Sequence, residues 1–234
     1  MNFDSPLYRA SFIERYATVL ADVCLENGEV TTVYCSNTTR MKTLTVPGAE
    51  VFLSFNRKEG RRLLYTWETV SANGTLVGVN ETRRYDITAE GIANGVLSEL
   101  AGYREIRRIL PSRGGSTVDM VLIPQDDRFP VCRAAIVTAY LKQGVDLLFP
   151  DGIYVWNRKV LDELGAALDA GERAVLIVLA QRIDCIGVRA DWTADAQYVT
   201  SLKEFCDKGL EILCYGCTVS SQGIWASARL PFMF

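Results

Sequence analysis

Ala174-Val175-Leu176-Ile177-Val178-Leu179-Ala180 is the stretch on which the fold turns. Seven apolar residues in succession are far short of the ~20 that a membrane helix needs, and they read as a continuous apolar strand. Helical spacing is found on both sides of it, at about 157–170 and 194–208, and a further strand, Leu210–Val219, follows. Upstream, Thr117–Ile123 and Val131–Leu141 read as strands around the polar turn Pro124–Pro130. Before them, Thr88 is placed to cap a helix carrying Ile92, Val96, Leu97 and Leu100 and ending near Gly102. Strands alternating with helices predict a mixed α/β layer over residues 85–234.

The first 84 residues have a different rhythm. Ser11–Tyr16, Val30–Tyr34, Glu50–Phe55 and Leu64–Glu68 are alternating or β-branched runs, broken by Asn27-Gly28, Pro47-Gly48 and Asn73-Gly74. Short strands at this spacing predict a small barrel or sandwich. Five or so strands fit an OB-type barrel, whose open face often holds single-stranded nucleic acid, and fit an unrelated small barrel with no ligand equally well. The chain therefore divides into residues 1–84 and 85–234, with no flexible linker or internal repeat between them.

Composition narrows the chemistry. The 234 residues are 49% hydrophobic and 23% charged, with a net charge of −3, as expected of a soluble globular protein. There is no histidine, which excludes Ser-His-Asp and Cys-His nucleophile pairs and imidazole zinc sites. The seven cysteines lack paired spacing, and the start Met-Asn-Phe-Asp-Ser-Pro lacks the pattern of a signal peptide, so a reducing, cytoplasmic setting with no membrane association is expected. Cys214-Tyr215-Gly216-Cys217 has no second pair to complete a zinc site and reads as structural. Arg113-Gly114-Gly115-Ser116-Thr117 lacks the lysine and following helix of a phosphate loop, and reads as a turn.

Charge is uneven. Residues 31–67 hold Arg40, Lys42, Arg57, Lys58, Arg61 and Arg62 against only Glu50 and Glu59. A basic stretch in an acidic chain is compatible with phosphate binding on one face, and from charge alone also reads as a solvated hairpin face. Asn37-Thr38-Thr39-Arg40 adds an amide, hydroxyls and a guanidinium to it, and Tyr34, Phe52, Phe55, Tyr65 and Trp67 are nearby aromatic platforms or barrel core.

Ordered pieces along the chain resemble the sugar fermentation stimulation (SfsA) family. They include Pro6–Tyr16, Val19–Val23, Cys35-Ser36-Asn37-Thr38, Tyr65-Thr66-Trp67-Glu68, Leu97–Tyr103, Val118-Asp119, Phe149-Pro150-Asp151 and Gly209–Tyr215. The resemblance implies an N-terminal OB-fold domain, a C-terminal domain similar to PD-(D/E)xK nucleases, and DNA binding without sequence specificity. It also implies an Asp on one strand and Glu-x-Lys on the next, where residues i and i+2 share a face and aim a metal-binding carboxylate and a lysine at one phosphate. Asp119 matches the aspartate, but the glutamate position falls on Ala135, the lysine on Val137, an upstream acid on Arg108 and a late histidine on Val160.

These departures predict little or no hydrolysis and no cofactor. The expected activity is binding of DNA or another nucleic acid through Arg40, Lys42, Arg57, Lys58, Arg61 and Arg62, with Asn37 and Thr38 positioning the strand and Arg9 and Arg15 assisting. Two alternatives stand beside it. One is a magnesium-dependent nuclease rebuilt around Asp119, Asp151 and Asp146. The other is a non-catalytic interaction module using Ala135, Val137, Tyr154 and Trp156.

Overall fold

In the computed structural model, which describes residues 1–56, 62–110, 115–126 and 128–234, the N-terminal strands form a barrel. They are β1 (Tyr8–Tyr16), β2 (Leu20–Leu25), β3 (Val30–Tyr34), β4 (Glu50–Phe55), β5 (Tyr65–Ala72) and β6 (Thr75–Gly78). The sheet order is β3-β2-β1-β4-β5-β6, and a parallel contact between Tyr34 of β3 and Thr66 of β5 closes the first five strands on themselves. Alternation drives the closure: Ala10, Phe12, Ala21, Val23, Leu53 and Trp67 point inward and are buried, with Phe12 and Trp67 stacked at 5.2 Å. Trp67 is thus core, whereas Phe55 and Tyr65 gather with Tyr8 in an edge-on cluster on the flank. The sequence reading missed β2 and β6.

A 3-10 turn, Glu81–Arg83, leads into α1 (Arg84–Ala93). The Asn80 side chain accepts from the Thr82 N–H and starts this turn, so the helix begins earlier than the Thr88 cap predicted. Thr88 is instead buried inside α1, its hydroxyl donating to the Arg84 carbonyl at 2.9 Å. The predicted end near Gly102 also moves. Gly95, at φ 73°, stops the helix, and the Val96 N–H turns back to the Gly91 carbonyl.

Beyond it come β7 (Tyr103–Arg108), β8 (Met120–Pro124), β9 (Cys132–Thr138), β10 (Leu141–Gln143), β11 (Asp146–Phe149), α2 (Val155–Asp169), β12 (Arg173–Ala180), β13 (Gly187–Ala190), α3 (Trp192–Asp207), β14 (Glu211–Val219), β15 (Ile224–Leu230) and β16 (Phe232–Met233). The main sheet runs β15-β14-β12-β9-β8-β7, with β9, β12 and β14 parallel at its centre. The opening apolar run is β12, covered on both faces. Leu176 and Val178 pack in a core with Val160, Leu164, Tyr198 and Leu202 of α2 and α3. Val175 and Ile177 pack in a second core with Ile87 and Leu97 on the α1 side. A smaller sheet, β10-β11-β13-β16, lies beside it.

All seven cysteines are free thiols. Cys214 belongs to the core under α2 and α3 and Cys217 to the core under α1, so the two face opposite sides of β14 and cannot share a ligand. Ser116 and Thr117 give their hydroxyls to Glu163 of α2, so this part of the glycine-rich turn faces a carboxylate. No helix among the described residues is long and apolar enough to cross a membrane.

Candidate functional site

An open cleft of about 410 Å³ lies where the barrel meets the main sheet. Its lining draws on the barrel loop Ser36–Thr39, on Glu81 and Arg84 ahead of and at the start of α1, on Asp119, on Val137 and Thr138 of β9, and on Asp151 and Tyr154 between β11 and α2. Ser36 ties the barrel loop to the turn ahead of α1: its hydroxyl donates to Asn80 Oδ1 at 2.7 Å and accepts from the Glu81 N–H at 2.9 Å.

Asp119 extends the ladder at the foot of β8. Its N–H reaches the Ala134 carbonyl at 3.0 Å, and its own carbonyl accepts from the Ile109 N–H at 2.9 Å. This fixes the carboxylate toward β9, where Oδ2 accepts from the Ile136 N–H at 2.7 Å. Oδ1 accepts from Arg84 Nη2 at 2.8 Å. The other terminal nitrogen of Arg84 lies 3.5 Å from Glu81 Oε2, three residues back along the turn. Tyr140 donates to Glu81 Oε1 and Thr138 Oγ1 to Oε2 at 3.4 Å. Burial works against the Arg84 charge, but Asp119 and Glu81 outweigh it and hold its pKa above the ordinary guanidinium value. Burial, followed by the Glu81 charge, pushes the Tyr140 hydroxyl well above the usual phenol range and keeps it a donor.

Across the cleft, burial raises the Asp151 carboxyl above its ordinary pKa, while the Tyr154 hydroxyl and the charges of Lys42 and Arg40 pull the other way. Tyr154 is itself pushed up to about 12, by burial and then by Asp151. At the mouth, Arg108 sits over the Tyr85 ring at 4.3 Å and 3.6 Å from Asp86. Its charge is therefore directed at the rim, and the cation on Asp119 is Arg84.

The other residues singled out by sequence divide by exposure. Thr38, Arg40, Lys42 and Arg62 are exposed. Asn37 is fully buried, its Oδ1 accepting from the Thr39 N–H at 2.8 Å, so its amide shapes the loop from within. Arg15 spends its guanidinium on the carbonyls of Thr18, Asn37 and Thr39, buttressing the same loop. Arg9 pairs with Glu50. Arg57, Lys58 and Arg61 lie outside the described residues, as do Arg113 and Gly114 of the glycine-rich turn. Ala135 and Val137 are both buried against α2, Val137 edging the cleft; Trp156 is partly exposed at its rim. Asp146 is absent from the cleft lining, and its carboxylate lies beside Gly187.

Sequence reasoning passed over Glu81, Arg84 and Tyr140. The available signal was Asn80-Glu81-Thr82-Arg83-Arg84, a capping residue followed by an acid and a base at i,i+3 spacing.

Comparison with known proteins agrees with this two-part construction. Residues 13–79 match the SfsA N-terminal OB domain, and residues 82–223 match the sugar fermentation stimulation protein RE domain. A sugar fermentation stimulation protein homolog of Paramagnetospirillum magneticum is 38% identical over 230 residues, covering 98% of this chain and 97% of its own. The chain belongs to the SfsA family. Another SfsA-family homolog, from Nitrosococcus oceani, is 37% identical over 99% of both chains. The fold is that of the solved Pyrococcus furiosus SfsA in complex with Ca2+, with a TM-score of 0.87 at 21% identity over 99% of this chain and 97% of that one.

The divalent cation that a nuclease-like site implies does not fit the residues present in this member of the SfsA family. Such an ion takes oxygen ligands, usually one or two carboxylates with water and substrate completing the shell. Both oxygens of Asp119 are engaged by protein donors, those of Glu81 face Tyr140, Thr138 and Arg84, and Ala135 and Val137 offer none. Among the described residues, no group of three or more Cys, Asp or Glu side chains is arranged to hold a metal.

Proposed function

We propose that this SfsA-family chain binds DNA or another nucleic acid without sequence specificity and without hydrolysing it. In this reading residues 1–84 supply the phosphate contacts and residues 85–234 are a catalytically degenerate nuclease-like domain in a reducing, cytoplasmic setting. Arg40 and Lys42 are exposed on the barrel loop beside the cleft, and Arg62 continues the basic stretch. Arg57, Lys58, Arg61 and the exposed Thr38 join them, while Asn37 and Arg15 act by holding the loop in shape.

The observation that carries the non-hydrolytic part is the occupancy of Asp119. In-line attack at a phosphodiester requires stabilisation of charge developing on the phosphoryl oxygens. Here Asp119, the carboxylate that matches the family's strand aspartate, is bound by Arg84 at 2.8 Å, and the neighbouring positions on β9 are the apolar Ala135 and Val137. A single assay tests both halves: supercoiled plasmid incubated with the protein in Mg2+ or Mn2+ at low salt, then resolved by gel. Retarded but still supercoiled plasmid is expected. Relaxation that disappears in Asp119→Ala restores the nuclease alternative, and an unshifted plasmid defeats nucleic-acid binding.

A further inference from the structure

The four carboxylate oxygens of Glu81 and Asp119 each face a donor from the protein itself. Asp119 Oδ2 takes the Ile136 N–H, Glu81 Oε1 takes the Tyr140 hydroxyl, and Arg84 reaches Asp119 Oδ1 at 2.8 Å and Glu81 Oε2 at 3.5 Å. From these contacts we infer that Arg84 is a tethered cation standing where a divalent ion would otherwise bridge the two acids. The inference rests on the non-hydrolytic reading of this cleft and gives it a mechanism: a side-chain cation holds the acids that a metal would need.

The chemistry suits the exchange. A guanidinium is a flat, permanently charged group whose separate N–H donors serve two carboxylates at once, and it needs no shell of water. It also cannot polarise a bound water into a nucleophile as a metal does. The first residue of α1 is the right place to hold it. Glu81 lies three residues earlier on the same turn, and the Asn80 cap and Ser36 lock that turn to the barrel loop. Asp119 thereby keeps a cation beside it whether or not divalent ions are present, and the contact of the cleft with a polyanion becomes independent of metal.

The test is a calorimetric titration of the full chain with MnCl2, in the wild type, Arg84→Ala, Arg84→Gln and the double variant Arg84→Ala/Asp119→Asn. The wild type is expected to show no saturable uptake. Arg84→Ala is expected to bind Mn2+ roughly tenfold or more tightly than the wild type, through the two freed carboxylates, and the double variant to lose that gain. Arg84→Gln should behave as Arg84→Ala. Equal behaviour of wild type and both Arg84 variants, whether all bind or none does, overturns the inference. Should the Arg84 variants unfold in chelator, recovery of the native circular dichroism on adding Mn2+ supports it, and persistence of the unfolded signal counts against it. Failure of the plasmid to shift would defeat nucleic-acid binding while leaving this metal result intact.

Discussion

Arg83 and Arg84 are adjacent in sequence and turn to opposite halves of the molecule. Arg83 reaches back into the barrel and grips Glu68 with two donors, at 2.7 and 3.1 Å. Glu68 is fully buried and is satisfied further by Ser54 at 2.7 Å and Asn80 at 2.9 Å. Arg84 reaches forward to Asp119 and Glu81, whose side chains remain 13% and 18% exposed in an open cleft. The difference teaches that one motif serves two ends. A carboxylate with no access to water must be paired for the fold to exist, whereas a carboxylate lining a cleft is free to be paired with whatever the chemistry of that cleft requires.

The comparison is broken most severely at Arg83. Arg83→Ala strands a buried charge and should cost about 3–5 kcal/mol in urea-induced unfolding. A loss as small as that of a surface pair would show that Glu68 is not the structural member. Elsewhere a buried guanidinium, Arg182, binds Asp184 and holds its carboxyl down to about 2, with burial opposing and Lys142 assisting. Because that pKa is depressed, the stabilisation is present above the ordinary value of 3.8 and lost as pH falls toward 2. Asp184→Asn should therefore be less stable than the wild type near pH 5, with the gap closing toward pH 2. A gap of constant size across a denaturation series would contradict this.

Removing the cleft pair should do less. Arg84→Ala is expected to cost about 2 kcal/mol, the scale of a lost charge-assisted hydrogen bond, because water reaches the acids it leaves behind. Mn2+ should recover that loss. A penalty matching that of Arg83→Ala would erase the distinction between the two arginines. Smallest of all is the exposed loop: Arg40→Ala with Lys42→Ala should leave stability within about 0.5 kcal/mol of the wild type.

Much of the fold was legible from periodicity because burial on one or both faces leaves a direct imprint on sequence. The β12 run is apolar throughout since both faces are covered, and the barrel strands alternate since only one is. The strand β6 escaped because Thr75–Gly78 is four residues ending in a glycine, as did the equally short β11 and β13, whereas β2 carries the same alternation as β4 and was simply passed over. The cleft was harder for a different reason. Asp119 could be found by resemblance, but its cation comes from 35 positions earlier, across the seam between barrel and sheet. Arg108, eleven positions before Asp119, was the nearer basic residue in sequence, yet the fold stacks it on Tyr85. Asn37 carries the opposite lesson. Its residue type suits phosphate binding, and only the burial of its side chain shows that it shapes the loop from beneath.

The central claim, metal-independent binding of a polyanion, is tested most directly by fluorescence anisotropy of a labelled DNA across a salt series in the presence of chelator. The account predicts binding at low salt whose log affinity falls linearly with log salt, and a slope about two shallower once Arg40 and Lys42 are both replaced by alanine. Binding that is absent without a divalent cation, or that ignores salt, would contradict it.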